Sequence, residues 1–416
     1  MSTAVVERTM DRRPLRALLV ASYISWFGNG LTIVAVPLYV LRQTGSPLYT
    51  GLAGFANTLP MALGGLVGGV VVDRLGGRVV SAGADLLAGV LILLVPLLAQ
   101  TSGLPFGFLL VLIAARTLVD TPGSAARLAM LEPLAIRGGG RLESANAWFS
   151  GAQRTGLIIA PVCATLLAQV TDPSTVLYVD AATFAVSGAL VWGLTPRVAV
   201  VRQSDQTGFA RDLRDGLSLL ARTPVLRAIV TVVVVTNFID DALAPVVLPL
   251  FSRDVLGDAN LVGLLVGLFG AGAVVGTFAY IPSSRGLLHN RFATFVGAFG
   301  VIALMRAALA FGPPVALAFL VLFVLGLAAG PLNPLITTVL QEVTPSEVQG
   351  RVLGVVLSVA FVAAPFGILV QSWLIEQVGI TTTLGAFAGV YGLTVLYAFF
   401  NRGLRTMPQP AKPSYK

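Results

Sequence analysis

The chain has 416 residues, of which 56% are hydrophobic and 11% are charged, and its mean hydropathy is +0.87. Soluble proteins carry charge on about 25% of their residues, so this composition excludes an ordinary soluble fold. The net charge of +8 would favour nucleic-acid binding in a soluble protein, but the positions of the basic residues indicate a different partner.

Apolar stretches of transmembrane length recur along the whole chain. About 20 consecutive apolar residues are enough for a helix to cross a bilayer. The sequence therefore predicts an all-α membrane protein with twelve transmembrane helices, numbered here as spans 1 to 12, at 15–41, 47–72, 79–100, 104–135, 141–169, 174–195, 225–252, 260–281, 289–311, 314–341, 350–376 and 381–402.

The basic residues fall mainly on one side of these spans. Arg42 and Arg253 lie on one side, Arg116, Arg154 and Arg306 lie within spans, and most other basic residues lie on the opposite side. Cytoplasmic loops carry an excess of Lys and Arg. We therefore expect both termini in the cytoplasm, with the positive charge facing anionic lipid and no nucleic acid bound.

The sequence offers no residue set for enzyme chemistry. Cys163 and His289 are the single cysteine and the single histidine, so the ligands of a zinc site and a nucleophile–base pair are missing. The phosphate-binding pattern G-x-x-x-x-G-K-[ST] is also absent, which excludes ATP as the energy source within this chain. We expect a protein without metal, cofactor or enzymatic activity.

The two halves of the chain resemble each other. The stretch "VPLYVLRQTGSPLYTGL" (36–52) parallels "LPLFSRDVLGDANLVGL" (248–264), with Gly45/Gly257 and Gly51/Gly263 both offset by 212. Internal repeats of this kind are typical of secondary transporters, in which two similar bundles rock about a central site.

The longest polar connector divides the spans six and six. The predicted organisation is two pseudo-symmetric six-helix bundles: a cytoplasmic lead at 1–14, a bundle at 15–195, a cytoplasmic linker at 196–224, a second bundle at 225–402 and a cytoplasmic tail at 403–416.

A charged, glycine-rich stretch separates spans 2 and 3. The sequence "GVVVDRLGGR" (69–78) resembles the signature between helices 2 and 3 of the major facilitator superfamily. In that family the aspartate caps the N-terminus of helix 11, here at 347–354, and a helix N-terminus attracts a carboxylate. The resemblance implies the major facilitator fold and a conformational latch formed by Gly69, Asp73, Arg74, Gly76, Arg78 and Arg351.

Spans 4 and 5 carry two further family motifs. The stretch "LIAARTLVDTPGSAA" (112–126) resembles the helix 4 motif, with Arg116 at its buried arginine. The stretch "GLIIAPVCA" (156–164) resembles the helix 5 antiporter motif, in which Gly156 and Pro161 match while Ala160 and Ala164 stand for glycines. Small residues there allow tight helix packing, and the motif is typical of exporters.

Longer stretches resemble the third drug:proton antiporter family, which includes macrolide and tetracycline exporters and the enterobactin exporter. They are "FGNGLTIVAVPLYVLRQTGSP" (27–47), "LESANAWFSGAQRTGLIIAP" (142–161), "YVDAATFAVSGAL" (178–190) and "TPSEVQGRVLGVV" (344–356). The resemblance covers about 15–400 and implies a proton antiporter.

Span 4 carries one stripe of charge. Arg116, Asp120 and Arg127 are spaced by four and seven residues, so they fall on one face of a helix. In the superfamily helices 1, 4, 7 and 10 line the central cavity, which places this stripe, with Asn29 on span 1, on the transport path. The stripe could instead be a structural pair that neutralises itself. Arg154 on span 5 could face the cavity or span 4.

Span 7 carries two adjacent carboxylates, Asp240 and Asp241, and Asn237 shares a face with Asp241. Two carboxylates near mid-bilayer repel each other and are poorly solvated, so one of them should hold a proton. We expect one of the pair to carry the coupling proton, unless an Asp merely caps a break before Pro245. Asp120 is the alternative, although Arg116 one turn away should hold it ionised.

The remaining intramembrane charges lie on helices that are peripheral in the family. Asp85, Asp180 and Arg306 are therefore interpreted as structural. Aromatic side chains are candidates for an apolar substrate cavity, although each could equally be packing: Tyr23, Trp26, Phe27, Trp148, Phe238 and Phe361.

The predicted function is proton-coupled efflux of amphipathic drugs or related organic molecules by alternating access. The expected partners are a small-molecule amphipathic substrate, protons and the lipid bilayer of a bacterial inner membrane, with the protein acting as a monomer. One alternative is a dedicated exporter of a single endogenous metabolite, such as a siderophore or an antibiotic. A membrane-embedded enzyme or a sensor would need catalytic residues or a signalling domain that the sequence does not offer.

Overall fold

The computed structural model describes residues 11–101, 103–197, 218–283, 288, 290–344 and 349–409. Every regular element in these ranges is a helix, as the composition predicted. The first six spans correspond to α1 Arg13–Thr44, α2 Pro47–Leu75, α3 Gly77–Thr101, α4 Phe106–Arg137, α5 Leu142–Val170 and α6 Pro173–Leu194.

The second half contains shorter elements because two predicted spans are interrupted. The elements are α7 Pro224–Asp240, a π-helical turn Leu243–Val247, α8 Leu248–Asp254, a 3₁₀ turn Ala259–Leu261, α9 Val262–Ser283, α10 Arg291–Ala310, α11 Val315–Ala329, α12 Leu332–Val343, α13 Gln349–Val378, α14 Ile380–Phe400 and α15 Arg402–Arg405.

Within the described residues, eleven helical segments are long and apolar enough to cross a membrane. The second predicted span is a helix, α2, but is not among these eleven, so the count of twelve stays a prediction. Span 7 comprises α7, the π-helical turn and α8, and span 10 comprises α11 and α12. Residues 1–10, 198–217 of the predicted linker, His289 and 410–416 lie outside the described residues.

Residue contacts divide the chain into two compact units. The first unit contains the described residues within 1–32, 63–160 and 174–203, and the second contains those within 33–62, 161–173 and 204–416. The second unit therefore includes the C-terminal ends of α1 and α5 and the N-terminal half of α2. The predicted six-and-six division, with its cytoplasmic termini and linker, stays a prediction.

Small residues bring the helices of the first unit together. A Cβ atom on Gly123 of α4 would lie 2.6 Å from the Cβ atom of Ala84 on α3. A Cβ atom on Gly30 of α1 would lie 2.6 Å from the backbone oxygen of Gly156 on α5. Association of helices in lipid depends on such close backbone approach, because apolar side chains gain little by leaving the equally apolar lipid.

Two glycine pairs, each spaced by four residues, join α9 to α11 and its C-cap in the second unit: Gly272 with Gly276, and Gly326 with Gly330. Gly272 and Gly276 lie against the backbone around Phe323 and Leu327, while Gly326 lies against the backbone of Phe269. Any side chain at these glycines would displace neighbouring backbone. Spans 8 and 10 are therefore held at small-residue separation, as in transmembrane dimers with the G-x-x-x-G pattern.

The backbone supports the internal repeat. The matched residues Gly45 and Gly257 adopt φ of +66° and +74°, a left-handed conformation that favours glycine. The matched residues Gly51 and Gly263 both pack in the second unit: Gly51 of α2 lies against Ser372 of α13, and Gly263 of α9 lies against Thr165 of α5. Span 2 thus contacts span 11, and span 8 contacts span 5. In the repeat, span 8 is the counterpart of span 2 and span 11 is the counterpart of span 5, so the two contacts are equivalent.

We expect Gly263→Ala to destabilise the protein. The new Cβ would overlap the backbone oxygen of Pro161 and the hydroxyl of Thr165, and overpacking of this kind costs about 1–3 kcal/mol. Thermal unfolding of the purified protein measures the effect. Gly297→Ala is the matched control, because a Cβ there meets nothing within 4 Å and alanine favours a helix. Equal melting temperatures for the two variants would contradict this expectation.

Candidate functional site

Five charged side chains of the first unit form a contiguous buried group, defined here as the Asp85–Asp120–Asp180 cluster with Arg116 and Arg127. Arg127 on α4 donates from Nη1 to Asp85 Oδ1 on α3 at 2.7 Å. Its Nη2 lies 3.8 Å from Asp120 Oδ1 on the same helix. The Arg127 and Asp85 side chains are fully buried, whereas the Asp120 side chain is 12% exposed.

Asn29 of α1 connects the two ends of this cluster. Its amide nitrogen donates to Asp120 Oδ2 at 3.0 Å, and its amide oxygen accepts from Arg116 Nη2 at 2.5 Å. Arg116 lies 3.9 Å from Asp180 Oδ2 on α6, and the Thr32 hydroxyl donates to the same oxygen. The cluster and its polar neighbours Asn29 and Thr32 therefore join α1, α3, α4 and α6.

This arrangement defines the partners of the charged stripe on span 4. Its three charges do lie together, but Arg116 makes no ion pair with Asp120 within the described residues. The cation nearest to Asp120 is Arg127, which is already bound to Asp85. The reason is geometric, because the Asn29 amide occupies the space between Arg116 and Asp120. Asp85 and Asp180, interpreted from the sequence as peripheral structural residues, are members of the same cluster.

The carboxylates of span 7 lie in the second unit and have different partners. Arg306 of α10 forms a hydrogen-bonded ion pair with Asp240 Oδ1, and its guanidinium lies over the ring of Tyr391 of α14 at 5.6 Å. The Tyr391 hydroxyl donates to Asp240 Oδ2 at 3.3 Å. The charge of Asp240 is therefore compensated from two neighbouring helices.

Asp241 has no cation within ion-pair distance among the described residues, and its nearest charged neighbour is Asp240. Both carboxylates line a cavity of about 240 Å³ whose other walls are mostly apolar. The cavity lies among spans 7 to 10, and its lining residues are Asp240, Asp241, Leu243, Ala244, Leu248, Val266, Phe269, Ile302, Arg306, Leu325 and Ala329.

The two carboxylates sit where span 7 is interrupted. Asp240 is the last residue of α7, and the chain continues into the π-helical turn that contains Pro245. Gln371 of α13 donates from Nε2 to the carbonyl oxygens of Phe238 at 3.3 Å and Ile239 at 3.0 Å. The last turn of a helix leaves carbonyl groups without partners, and Gln371 satisfies two of them. The break before Pro245, which the alternative interpretation of these carboxylates assumed, is therefore present, and α13 stabilises it.

The other predicted cavity residues do not line this cavity. Phe238 contacts Phe387 with ring centroids 6.4 Å apart, and Trp26 of α1 has a buried indole nitrogen with no hydrogen-bond partner among the described residues. Phe27 and Asn237 are half-buried. The remaining candidates have substantial exposure: Tyr23, Trp148, Arg154 and Phe361.

Four of the predicted latch residues lie at the end of α2 or directly after it. Asp73 and Arg74 are exposed in its last turn, and Gly76 follows with φ of +84°, which only glycine adopts readily. Arg78 donates to the carbonyl oxygen of Trp192 and lies over its ring at 5.0 Å.

The expected partner of the latch is the N-terminal end of span 11, at 347–354. Residues 345–348 lie outside the described residues, as do the packing of Gly69 and the side chain of Arg351. The latch therefore stays a prediction.

The span 5 motif lies at a helix contact. A Cβ atom on Gly156 would lie 2.8 Å from the backbone oxygen of Trp26 on α1. Ala160, Pro161 and Ala164 are buried. The small residues of the motif therefore permit close contact of α5 with its neighbours.

These features define a class of protein. Buried charges that join several apolar helices, a discontinuous helix that carries ionisable groups and an internal repeat together define a secondary transporter. The sequence matches the Major Facilitator Superfamily over residues 18–367 and 237–415. The chain belongs to this superfamily, which confirms the family resemblance and the all-α fold class.

Relatives and solved structures agree with this assignment. The chain is 30% identical to the multidrug efflux pump Tap of Mycolicibacterium fortuitum, over 97% of this chain and 99% of that protein. It is 23% identical to macrolide efflux protein A of Streptococcus pyogenes, over 86% and 90%. The nucleoside transporter NupG has a similar fold, with a TM-score of 0.77 at 14% identity over 92% of this chain and 98% of that one.

The D-xylose–proton symporter also has a similar fold, with a TM-score of 0.67 at 14% identity over 95% of this chain and 99% of that one. Because its relatives are bacterial efflux proteins and its helices are long and apolar, the chain is a multi-pass protein of the bacterial inner membrane.

Proposed function

We propose that this protein exports amphipathic drugs or related organic molecules in exchange for protons. Two relatives that the chain covers almost completely are named for multidrug efflux and for macrolide efflux. The observation that carries the proposal is the asymmetry of the span 7 carboxylates. Asp240 is paired with Arg306, whereas Asp241, which lines the same mostly apolar cavity, has no cation within ion-pair distance among the described residues.

The charges of this cavity give the coupling mechanism. With Asp241 ionised, the cavity holds two carboxylates and one guanidinium, and with Asp241 protonated its charge is zero. An uncompensated charge in a membrane interior costs about 2.5–3.5 kcal/mol. Since about 1.4 kcal/mol is a factor of ten in an equilibrium, the ionised site reorients rarely. A proton or a cationic substrate bound at Asp241 neutralises the site and removes this cost. The site therefore reorients with either a proton or a substrate bound, and transport exchanges one for the other.

The remaining elements of the proposal follow from the family pattern. The transporter works as a monomer of two six-helix bundles, 15–195 and 225–402, with the predicted latch around Asp73 linking their cytoplasmic sides. Asn29 and Arg116 of the first unit and Asn237 of the second belong to the transport path. The small residues of the span 5 motif are a feature of exporters, and they support the outward direction of transport.

The experiment is an accumulation assay in cells that express the protein. Ethidium, tetracycline and erythromycin are the probes, with and without a protonophore. We expect lower accumulation of several probes than in cells without the protein, and restoration by the protonophore while ATP is kept constant. Accumulation that stays low with the protonophore would refute proton coupling. Efflux of none of the probes would refute a drug exporter and favour a dedicated metabolite exporter.

A further inference from the structure

Charged side chains of two other spans hold the chain where span 1 passes into span 2. We define the span 1–2 corner as residues 45–48, all of which belong to the second unit. Gly45 follows α1 with φ of +66°, and Pro47 is the first residue of α2. The distribution of basic residues predicts that this corner lies at the outer face of the membrane, opposite to the cytoplasm.

A carboxylate from span 11 binds the start of α2. Glu376 lies in the last turn of α13, and its Oε2 accepts from the backbone N–H of Leu48 at 2.8 Å and from the Ser46 hydroxyl at 2.7 Å. The Ser46 hydroxyl oxygen in turn accepts from the N–H of Tyr49 at 3.3 Å. The first N–H groups of a helix have no partner within the helix and favour negative charge. Glu376 is therefore a helix cap for α2 that a different span supplies.

A guanidinium group from span 7 binds the end of α1. Arg253 of α8 donates from Nη1 to the carbonyl oxygen of Gly45 at 3.2 Å, and its Nη2 donates to Asp254 Oδ2 at 3.0 Å. Carbonyl groups at the C-terminal end of a helix favour a cation. Each helix end at the corner thus receives the charge that it favours, a positive one for α1 and a negative one for α2.

The equivalent corner between spans 7 and 8 is capped by its own residues. Asp258 is the counterpart of Ser46 at the offset of 212 that the matched glycines share, and its side chain accepts from the N–H of Asn260 at 2.8 Å. The contact with span 5 there is a neutral hydrogen bond from Gln169 to the carbonyl oxygen of Asn260 at 3.4 Å. Span 8 therefore has a local carboxylate cap, whereas span 2 obtains its carboxylate from span 11. Movement of the helices can release only a cap that another span supplies.

We propose that Glu376 and Arg253 form an outer latch, which holds spans 1 and 2 against spans 11 and 7 and keeps the outer face of the transporter closed. This inference rests on the alternating access of the proposed function, in which two bundles rock about a central site. When the outer face opens, Leu48 and Gly45 lose their charged partners. Asp73 lies in the last turn of α2, about 40 Å from its first turn at 1.5 Å per residue. The outer latch and the predicted latch therefore act at opposite ends of span 2.

A distance measurement by pulsed electron paramagnetic resonance tests the outer latch without substrate or a proton gradient. Spin labels are attached at Gln43→Cys and Gln377→Cys, two exposed positions beside the contacts, in the Cys163→Ala protein reconstituted in lipid. We expect a shorter distance for the closed corner and a longer one for the open corner. Glu376→Gln should shift the ratio of the two populations about two- to fivefold towards the longer distance, which is the effect of one charge at an exposed helix N-terminus. Arg253→Met should shift the ratio in the same direction.

Two further variants separate a latch from a simple helix cap. Asp258→Asn is the matched control, because it removes a carboxylate near the equivalent corner while asparagine still caps its own helix. We expect the wild-type ratio there. Ser46→Asp in the Glu376→Gln protein gives span 2 a local carboxylate, as span 8 has, but no link to span 11. The melting temperature should recover in this double variant, whereas the distance ratio should stay shifted.

Two outcomes would overturn the outer latch. One is a distance distribution in Glu376→Gln identical to that of the wild type. The other is a wild-type ratio in the double variant with Ser46→Asp, because Glu376 would then only stabilise α2. Neither measurement depends on ethidium or on protons, so failure of drug export or of proton coupling in the accumulation assay refutes the proposed substrate or coupling without changing this test.

Discussion

Replacing Asp241 with Asn is expected to abolish proton-driven accumulation of substrate while substrate exchange down its gradient continues. The amide is neutral, so the cavity can reorient at all times, but it no longer carries a proton. Proteoliposomes test both activities: uphill transport of ethidium driven by a pH gradient, and exchange of labelled against unlabelled ethidium without a gradient. We expect uphill transport to fall at least tenfold, with exchange near the wild-type rate.

Asp240→Asn is the informative control because it removes the same charge from the same cavity. Loss of the Asp240 carboxylate leaves the buried Arg306 guanidinium without its carboxylate partner. An unsatisfied buried group of this kind lowers the free energy of unfolding by about 1–3 kcal/mol. We therefore expect a lower melting temperature rather than a pure loss of coupling. The double variant Asp240→Asn/Arg306→Gln should recover part of that stability. If Asp241→Asn still concentrates substrate and Asp240→Asn does not, the assignments of the two residues are reversed.

The sequence identified the ionisable residues of span 7 but not their partners. Charges are rare in apolar helices, so Asp240 and Asp241 are conspicuous in any window of the chain. Their difference arises from Arg306 and Tyr391, which approach Asp240 from two other helices. Sequence spacing predicts which residues share a face of one helix, but it does not determine how several helices pack. In the sequence, Pro245 was the residue that indicated an interruption of span 7.

In the first unit too, spacing along one helix did not determine the partners on other helices. The common face of Arg116, Asp120 and Arg127 follows from helical periodicity, and the structure has these residues together. The periodicity also placed Arg116 one turn from Asp120, but the two make no ion pair within the described residues, because Asn29 of another helix lies between them. Asp85 was interpreted as structural because the helix that carries it is peripheral in the family. Its partner Arg127, on another helix, could not be identified from the sequence.

The matched glycines of the repeat meet backbone requirements that the structure shows in both halves. Gly45 and Gly257 need a left-handed conformation at the same point of each half. Gly51 and Gly263 need close contact with a neighbouring helix. Such requirements tolerate few residue types, so they persist in both halves when most other positions differ.

Asp73→Asn is expected to reduce transport several-fold without affecting insertion into the membrane. The family pattern assigns this carboxylate to the N-terminus of span 11, where a negative charge is stabilised by about 0.3–1 kcal/mol. Asn keeps the size of the side chain but not the charge, so one conformation of the transport cycle loses its stabilisation and the populations shift. Ethidium efflux from cells, normalised to the amount of protein in the membrane, measures the effect.

The matched control for the latch is Glu143→Gln. Glu143 is also an exposed carboxylate of the first unit, and its side chain, 78% exposed, forms a surface ion pair with Arg141 at 3.5 Å. Surface ion pairs contribute about 0–1 kcal/mol and are screened by salt. We expect normal efflux in Glu143→Gln and recovery of part of the lost efflux in Asp73→Glu, because a carboxylate returns to the end of α2. Equal efflux rates for Asp73→Asn and Glu143→Gln would show that the charge at position 73 has no special role, and the latch would have to depend on Gly76 and Arg78 instead.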